Sequence, residues 1–154
     1  MKTASRKKAK TTKISARILI IEARFYDEIA DDLLDGATLA LKAAGAKYDV
    51  LSVPGILEIP ATAMFAFAPK SRGRKKYDGF VALGCAVKGE TDHYEYVCRE
   101  SMAGVTRVCL DLGVAAGNGI LTCPNRTLAE MRADPRGPDD VGGRAARACM
   151  RMIE

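Results

Sequence analysis

Absent from this sequence are the short signatures on which many enzyme assignments rest: it has no Walker loop, no G-x-G-x-x-G, no H-E-x-x-H and no nucleophile elbow. Those absences set aside P-loop nucleotide chemistry, the dinucleotide fingerprint, zincin-type metal chemistry and the serine chemistry of α/β-hydrolases. Its five cysteines, at positions 85, 98, 109, 123 and 149, form no C-x-x-C pair and no metal-ligand spacing. Their odd number suits a reducing compartment, so they read as small apolar packing residues of a cytoplasmic protein. Apolar runs, such as Ile18 to Ile21 and Ala61 to Ala68, fall far short of the roughly 18–20 residues of a membrane span. A secretory apolar segment is missing too, although a basic, acid-free amino terminus is also compatible with a transit peptide. Nothing in the composition points to a metal or an organic cofactor.

Charge is present but unevenly placed. The formal +5 falls to −2 once residues 1–21 are set aside, because they hold Lys2, Arg6, Lys7, Lys8, Lys10, Lys13 and Arg17 and no acid. Residues 1–16 therefore read as a basic, disordered solubilising arm, and residues 17–154 as one domain, of a size that buries about two thirds of its unfolded surface. A second basic cluster, Lys70, Arg72, Arg74, Lys75 and Lys76, falls in a loop-like stretch. Such clusters can contact nucleic acid, but the first 24 residues hold no aromatic side chain for base stacking, which argues against a nucleic-acid partner.

The periodicity predicts strands over 17–23, 49–53, 79–87 and 119–122. Helices are predicted over 27–44, 58–68, 94–110, 125–133 and 140–153. Gly45 stops the first helix, Pro60 lies in the first turn of the second, and Asp134-Pro135-Arg136-Gly137-Pro138 separates the last two. Strands that are apolar at nearly every position and alternate with helices imply an α/β fold, a parallel four-stranded sheet with helices on both faces. Ligands of open sheets of this kind bind beyond the carboxyl ends of the strands. That rule gathers the segments around Phe25, Pro54 to Glu58, Lys88 to His93 and the stretch after Thr122 into one place.

The chain's single histidine, His93, stands in that place, just after Gly89-Glu90-Thr91 and at a helix start. The dipole there disfavours an imidazolium, so a histidine so placed is suited to accept a proton near neutral pH; a surface or capping histidine is equally compatible with the residues alone. The Gly89-Glu90-Thr91 turn can hold a phosphate on backbone N–H groups and a hydroxyl, or Thr91 or Asp92 can simply cap the helix. Glu58 can accept from ligand hydroxyls or sit in a first turn, and Phe25 can stack on a planar ring or belong to the core. A Cys85/His93 nucleophile pair is a further, weaker option.

Taken together, ARFYDEIADDLLDGA, VPGILEIP, YDGFVALGCAVKGETDHYEYV, GNGILT and GGRAARA resemble the lumazine synthase family of riboflavin biosynthesis, in order and spacing, over nearly everything after residue 16. The resemblance implies a flavodoxin-like fold. It also implies a cofactor-free condensation of 5-amino-6-(D-ribitylamino)uracil with 3,4-dihydroxy-2-butanone 4-phosphate, with His93 handling protons. On the same basis Phe25, Ile56, Leu57, Glu58, Cys85, Ala86 and Val87 meet the pyrimidine and its ribityl chain, and Glu90, Thr91 and Arg132 hold the phosphate, with Lys88 and Gly89 as secondary candidates. Asn118 completes a neighbouring subunit's site in a homo-oligomer, a pentamer or larger, whose active sites are shared.

The sequence also departs from the family. Asp140-Val141-Gly142 stands where an Asn/Asp-Lys-Gly triplet usually opens the last helix, no lysine follows Lys88, and Thr122-Cys123-Pro124 replaces the common Thr-Thr-Asp. Arg136 and Arg144 are the candidate substitutes for the lysine. The missing lysine keeps open the alternative of a flavin- or lumazine-binding or scaffold protein. A longer link with Pro135 and Pro138 favours a free pentamer or a pentamer pair over a closed shell.

Overall fold

The computed structural model describes residues 11–69 and 75–154. Strands and helices alternate up to two closing helices: β1 (Arg17–Ala23), α1 (Asp27–Ala44), β2 (Lys47–Val53), a 3-10 turn (Ile56–Glu58), α2 (Ile59–Phe67), β3 (Gly79–Val87), α3 (His93–Leu112), β4 (Ala115–Cys123), α4 (Arg126–Ala133) and α5 (Val141–Ile153). The four strands are all parallel and lie in the order β2-β1-β3-β4. The α/β architecture expected from the alternation is the one observed.

Side chains alternate across the sheet, and the alternation builds two cores. Ile18 and Ile20 of β1, with Val81, Leu83 and Cys85 of β3, face α1, α4 and α5. Leu19, Ile21 and Ala23, with Phe80 and Ala82, face α2 and α3. The first core closes with unusually short distances between elements. A Cβ on Gly117 would stand 1.8 Å from the Ala145 carbonyl oxygen, and one on Gly142 would stand 2.0 Å from that of Leu33. Only glycine lets α5 lie this close to β4 and to α1.

Boundaries differ from expectation where small residues mislead. β4 begins at Ala115, four residues before the expected start, and Gly117 and Gly119 lie inside it; they serve the approach of α5 rather than breaking the strand. β2 starts two residues earlier than expected, and α3 extends to His93 and Leu112. β2 is an edge strand whose Val50 and Leu51 are exposed, so helical cover on both faces does not extend to it in this chain. Within the expected arm, Ala16 is buried and the Ile14 N–H donates to the Ala44 carbonyl at 3.0 Å. Residues 1–10, and 70–74 of the second basic cluster, lie outside the described residues.

Candidate active site

In this strand order the chain steps from β1 outward to β2 and then crosses back past β1 to β3, so the crevice beyond β1 and β3 is the topological switch point of the sheet. A cavity of about 500 Å³ lies there. Its walls come from Phe25 and Tyr26 after β1, Pro54 to Glu58 after β2, Cys85 to Val87 at the end of β3, and Gly89, Thr91, His93, Tyr94 and Val97 at the start of α3. The size suits a small organic ligand.

Local structure explains each wall. Ile56 is buried because Gly84 has no side chain: a Cβ there would be 2.4 Å from Ile56 Cγ2. Anchored in this way, the 3-10 turn presents Leu57 and Glu58, both exposed, at the cavity. The turn after β1 is held from beneath by Glu22, which is buried. Glu22 accepts from the Ser52 hydroxyl at 2.8 Å and from Arg24 at 3.1 Å, and Arg24 also pairs with Asp27 at 3.2 Å and with Asp31. Above this network Phe25 is 75% exposed, which removes the core reading, and it meets Tyr26 edge-on with ring centroids 5.0 Å apart.

At the third wall, α3 begins with His93, preceded by Asp92 in cap position, but the Asp92 side chain makes no capping bond. The Thr91 hydroxyl accepts only a long bond, 3.4 Å, from the His93 backbone N–H. Among the described residues, neither the His93 imidazole nor the Glu58 carboxylate has a hydrogen-bond partner, so both are free for a ligand. Burial pushes the Cys85 thiol up to about 12, which keeps it protonated at neutral pH and removes it as a nucleophile. The other four cysteines are likewise raised by burial, and all five are free.

Of the expected site residues, Phe25, Ile56, Leu57, Glu58, Cys85, Ala86, Val87, Gly89, Thr91 and His93 line this one cavity. Lys88, Glu90, Asn118 and Arg132 do not. Arg132 lies on α4, where its charge acts on Cys123, and the Asn118 amide faces Met102 at 3.0 Å. Val141 packs against the core and Asp140 caps α5, accepting from the Gly143 N–H at 3.1 Å. Arg136, 91% exposed, pairs with Asp134 at 3.5 Å. The cavity is also lined by Tyr26, Pro54, Gly55, Tyr94 and Val97, to which the sequence assigns no role. Their signal was spacing: Tyr94 and Val97 are one and four residues past His93 on the same helix.

Among the described residues no helix is long and apolar enough to cross a membrane, and no group of three or more His, Cys, Asp or Glu could hold a metal ion. The family model described as 6,7-dimethyl-8-ribityllumazine synthase matches residues 15–154. A Paramagnetospirillum magneticum protein named 6,7-dimethyl-8-ribityllumazine synthase is 49% identical over 140 residues, 90% of this chain and 93% of its own length. A Rhizobium meliloti protein, named 6,7-dimethyl-8-ribityllumazine synthase 1, is 51% identical over 137 residues, 89% of each chain.

Proposed function

The chain belongs to the 6,7-dimethyl-8-ribityllumazine synthase family, and we propose that its switch-point cavity is where the family's reaction takes place. The protein is a transferase of riboflavin biosynthesis that condenses 5-amino-6-(D-ribitylamino)uracil with 3,4-dihydroxy-2-butanone 4-phosphate, releasing phosphate and water. The observation that carries the assignment of the cavity is convergence: ten residues expected from separate segments line one cavity at the switch point.

The roles follow from chemistry and position. Phe25 stacks on the pyrimidine, the Glu58 carboxylate accepts from ribityl hydroxyls, and the strand end at Cys85, Ala86 and Val87 offers backbone groups to the uracil edge. Thr91 and the N–H groups at the start of α3 take the phosphate. The 5-amino group attacks the ketone to form an imine, phosphate leaves, and the ribityl-bearing nitrogen closes the ring, with water lost at the first and last steps. His93 moves protons through these steps. Holding two substrates in contact supplies much of the rest, several kcal/mol in favourable cases.

Neither Arg132 nor Asn118 lines this chain's own cavity; Asn118 serves that of an adjacent copy, and Arg132 remains the candidate for the phosphate. Supporting such an assembly, Phe65 and Leu110 are 72% and 77% exposed and β2 offers an uncovered edge with Val50 and Leu51; the family resemblance supplies a pentamer as its form. The alternative of a purely binding or scaffold protein is not favoured, since relatives about half identical over most of the chain carry the enzyme's name. Steady-state turnover of the two substrates, on a sample of measured mass, tests the reading. Lumazine formation by an oligomer is the expected result, and an oligomer that makes no lumazine overturns it.

A further inference from the structure

Arg126, the first residue of α4, is far in sequence from the turn after β1 yet rests against it. Its guanidinium carbon is 5.6 Å from the centroid of the Tyr26 ring. Two carboxylates hold it there: Nε donates to Glu130 one turn along α4 at 2.9 Å, and one terminal nitrogen donates to Glu28 of α1 at 3.3 Å. Asn125 fixes where α4 starts, its side chain accepting from the Leu128 N–H at 2.8 Å. The charge also reaches the cavity wall, where it offsets part of the burial that raises the Cys85 thiol.

We infer that Arg126 is a positioning residue for the aromatic wall of the substrate cavity. Clamped by Glu28 and Glu130, it stacks on Tyr26. Tyr26 abuts Phe25, and the two rings are held at the angle that receives the planar substrate. A guanidinium is well matched to this task, because it can lie over an aromatic ring while its N–H groups still reach carboxylates in its plane. The clamp joins α4 to the β1–α1 turn, tying together by side chains two of the segments that the switch-point rule gathers.

The inference rests on the cavity being the pyrimidine site, and the test separates the two ideas. In the full-length oligomer, Arg126→Ala is expected to raise KM for the ribitylaminouracil about two- to fivefold, the factor corresponding to one exposed cation–π contact. It should leave KM for the butanone phosphate and kcat nearly unchanged. Because an ammonium keeps the charge but not the planar fork, Arg126→Lys should recover only part of the loss. Tyr26→Leu should reproduce it, and adding Arg126→Ala to Tyr26→Leu should cost little more. Calorimetric binding of the ribitylaminouracil reads the same comparison without turnover, so a failure of catalysis in the unsubstituted protein leaves it decidable. An effect confined to the phosphate-bearing substrate, full additivity with Tyr26→Leu, or no change in pyrimidine affinity would each overturn the role.

Discussion

The two ends of the sheet differ in which polar groups are left unpaired. At the amino-terminal end the charged groups are bound to one another: Arg17 donates to Asp49 at 2.8 and 3.1 Å, the Tyr77 hydroxyl donates to Asp49 at 2.8 Å, and the Arg17 N–H donates to Asp78 at 2.9 Å. Arg17 and Lys76 also lie within 6 Å of the Tyr77 ring centroid, at 5.9 and 5.2 Å. At the carboxyl end the imidazole of His93 and the carboxylate of Glu58 are free of protein partners among the described residues, and an aromatic ring is left exposed. Where polar groups satisfy one another they stabilise; where they are left over beside a cavity they are available to a substrate. The difference locates chemistry without reference to any relative.

Substitutions at the two ends should therefore separate activity from stability. The largest effect is expected at the open end. His93→Ala should lower kcat roughly a hundredfold, the lower range for removing a positioned acid/base group, with thermal midpoint and oligomer mass unchanged because the side chain is exposed. Unchanged turnover would take the histidine out of the reaction.

Gly117→Ala, toward the closed end, comes next. The new methyl group must displace the backbone of α5, at a cost of about 2 kcal/mol by the usual scale of overpacking. Denaturant midpoints at fixed protomer concentration read that loss, and kcat per folded protomer should stay at the wild-type value. A fall in kcat of the size expected for His93→Ala would erase the division between the ends.

The smallest effect concerns Asp49, whose carboxyl is held below its usual range first by the Tyr77 hydroxyl and then by Arg17. A lowered folded-state pKa stabilises above the unfolded value and ceases to do so as pH falls through the folded one. Asp49→Asn should therefore melt no more than a few degrees below the parent at neutral pH. The gap should close as the solution is acidified below the ordinary carboxylate range. A gap that persists in acid would assign the effect to hydrogen-bond geometry rather than to charge.

Much of this was legible in the residues. β1, α1 and β3 have the bounds that periodicity predicts, because each is a long apolar pattern ended by a turn residue or a change of period. Gly45, in the left-handed region at φ 75, ends α1 where expected. β4 was foreshortened because glycine reads locally as a breaker, whereas Gly117 answers to Ala145, far along the chain. The same limit applies at the site. Phe25, Glu58 and His93 were found because each follows a strand, but nothing near Tyr26 in sequence announces Arg126, and Glu22 reads as one charged residue in an apolar strand until Ser52 and Arg24 are seen against it.

By itself, then, the sequence determined the alternation of strands and helices, the fold class, and the segments after each strand that could meet a ligand, since these depend on periodicity and turn chemistry over a few residues. Only the tertiary structure decided which of those segments share one cavity and which residues, Arg132 and Asn118 among them, stand apart from it. It also decided which polar groups are occupied and which are free. The physical reason is range: hydrophobic pattern acts between near neighbours in the chain, whereas hydrogen bonds, ion pairs and ring contacts are settled by the packing that brings distant residues together.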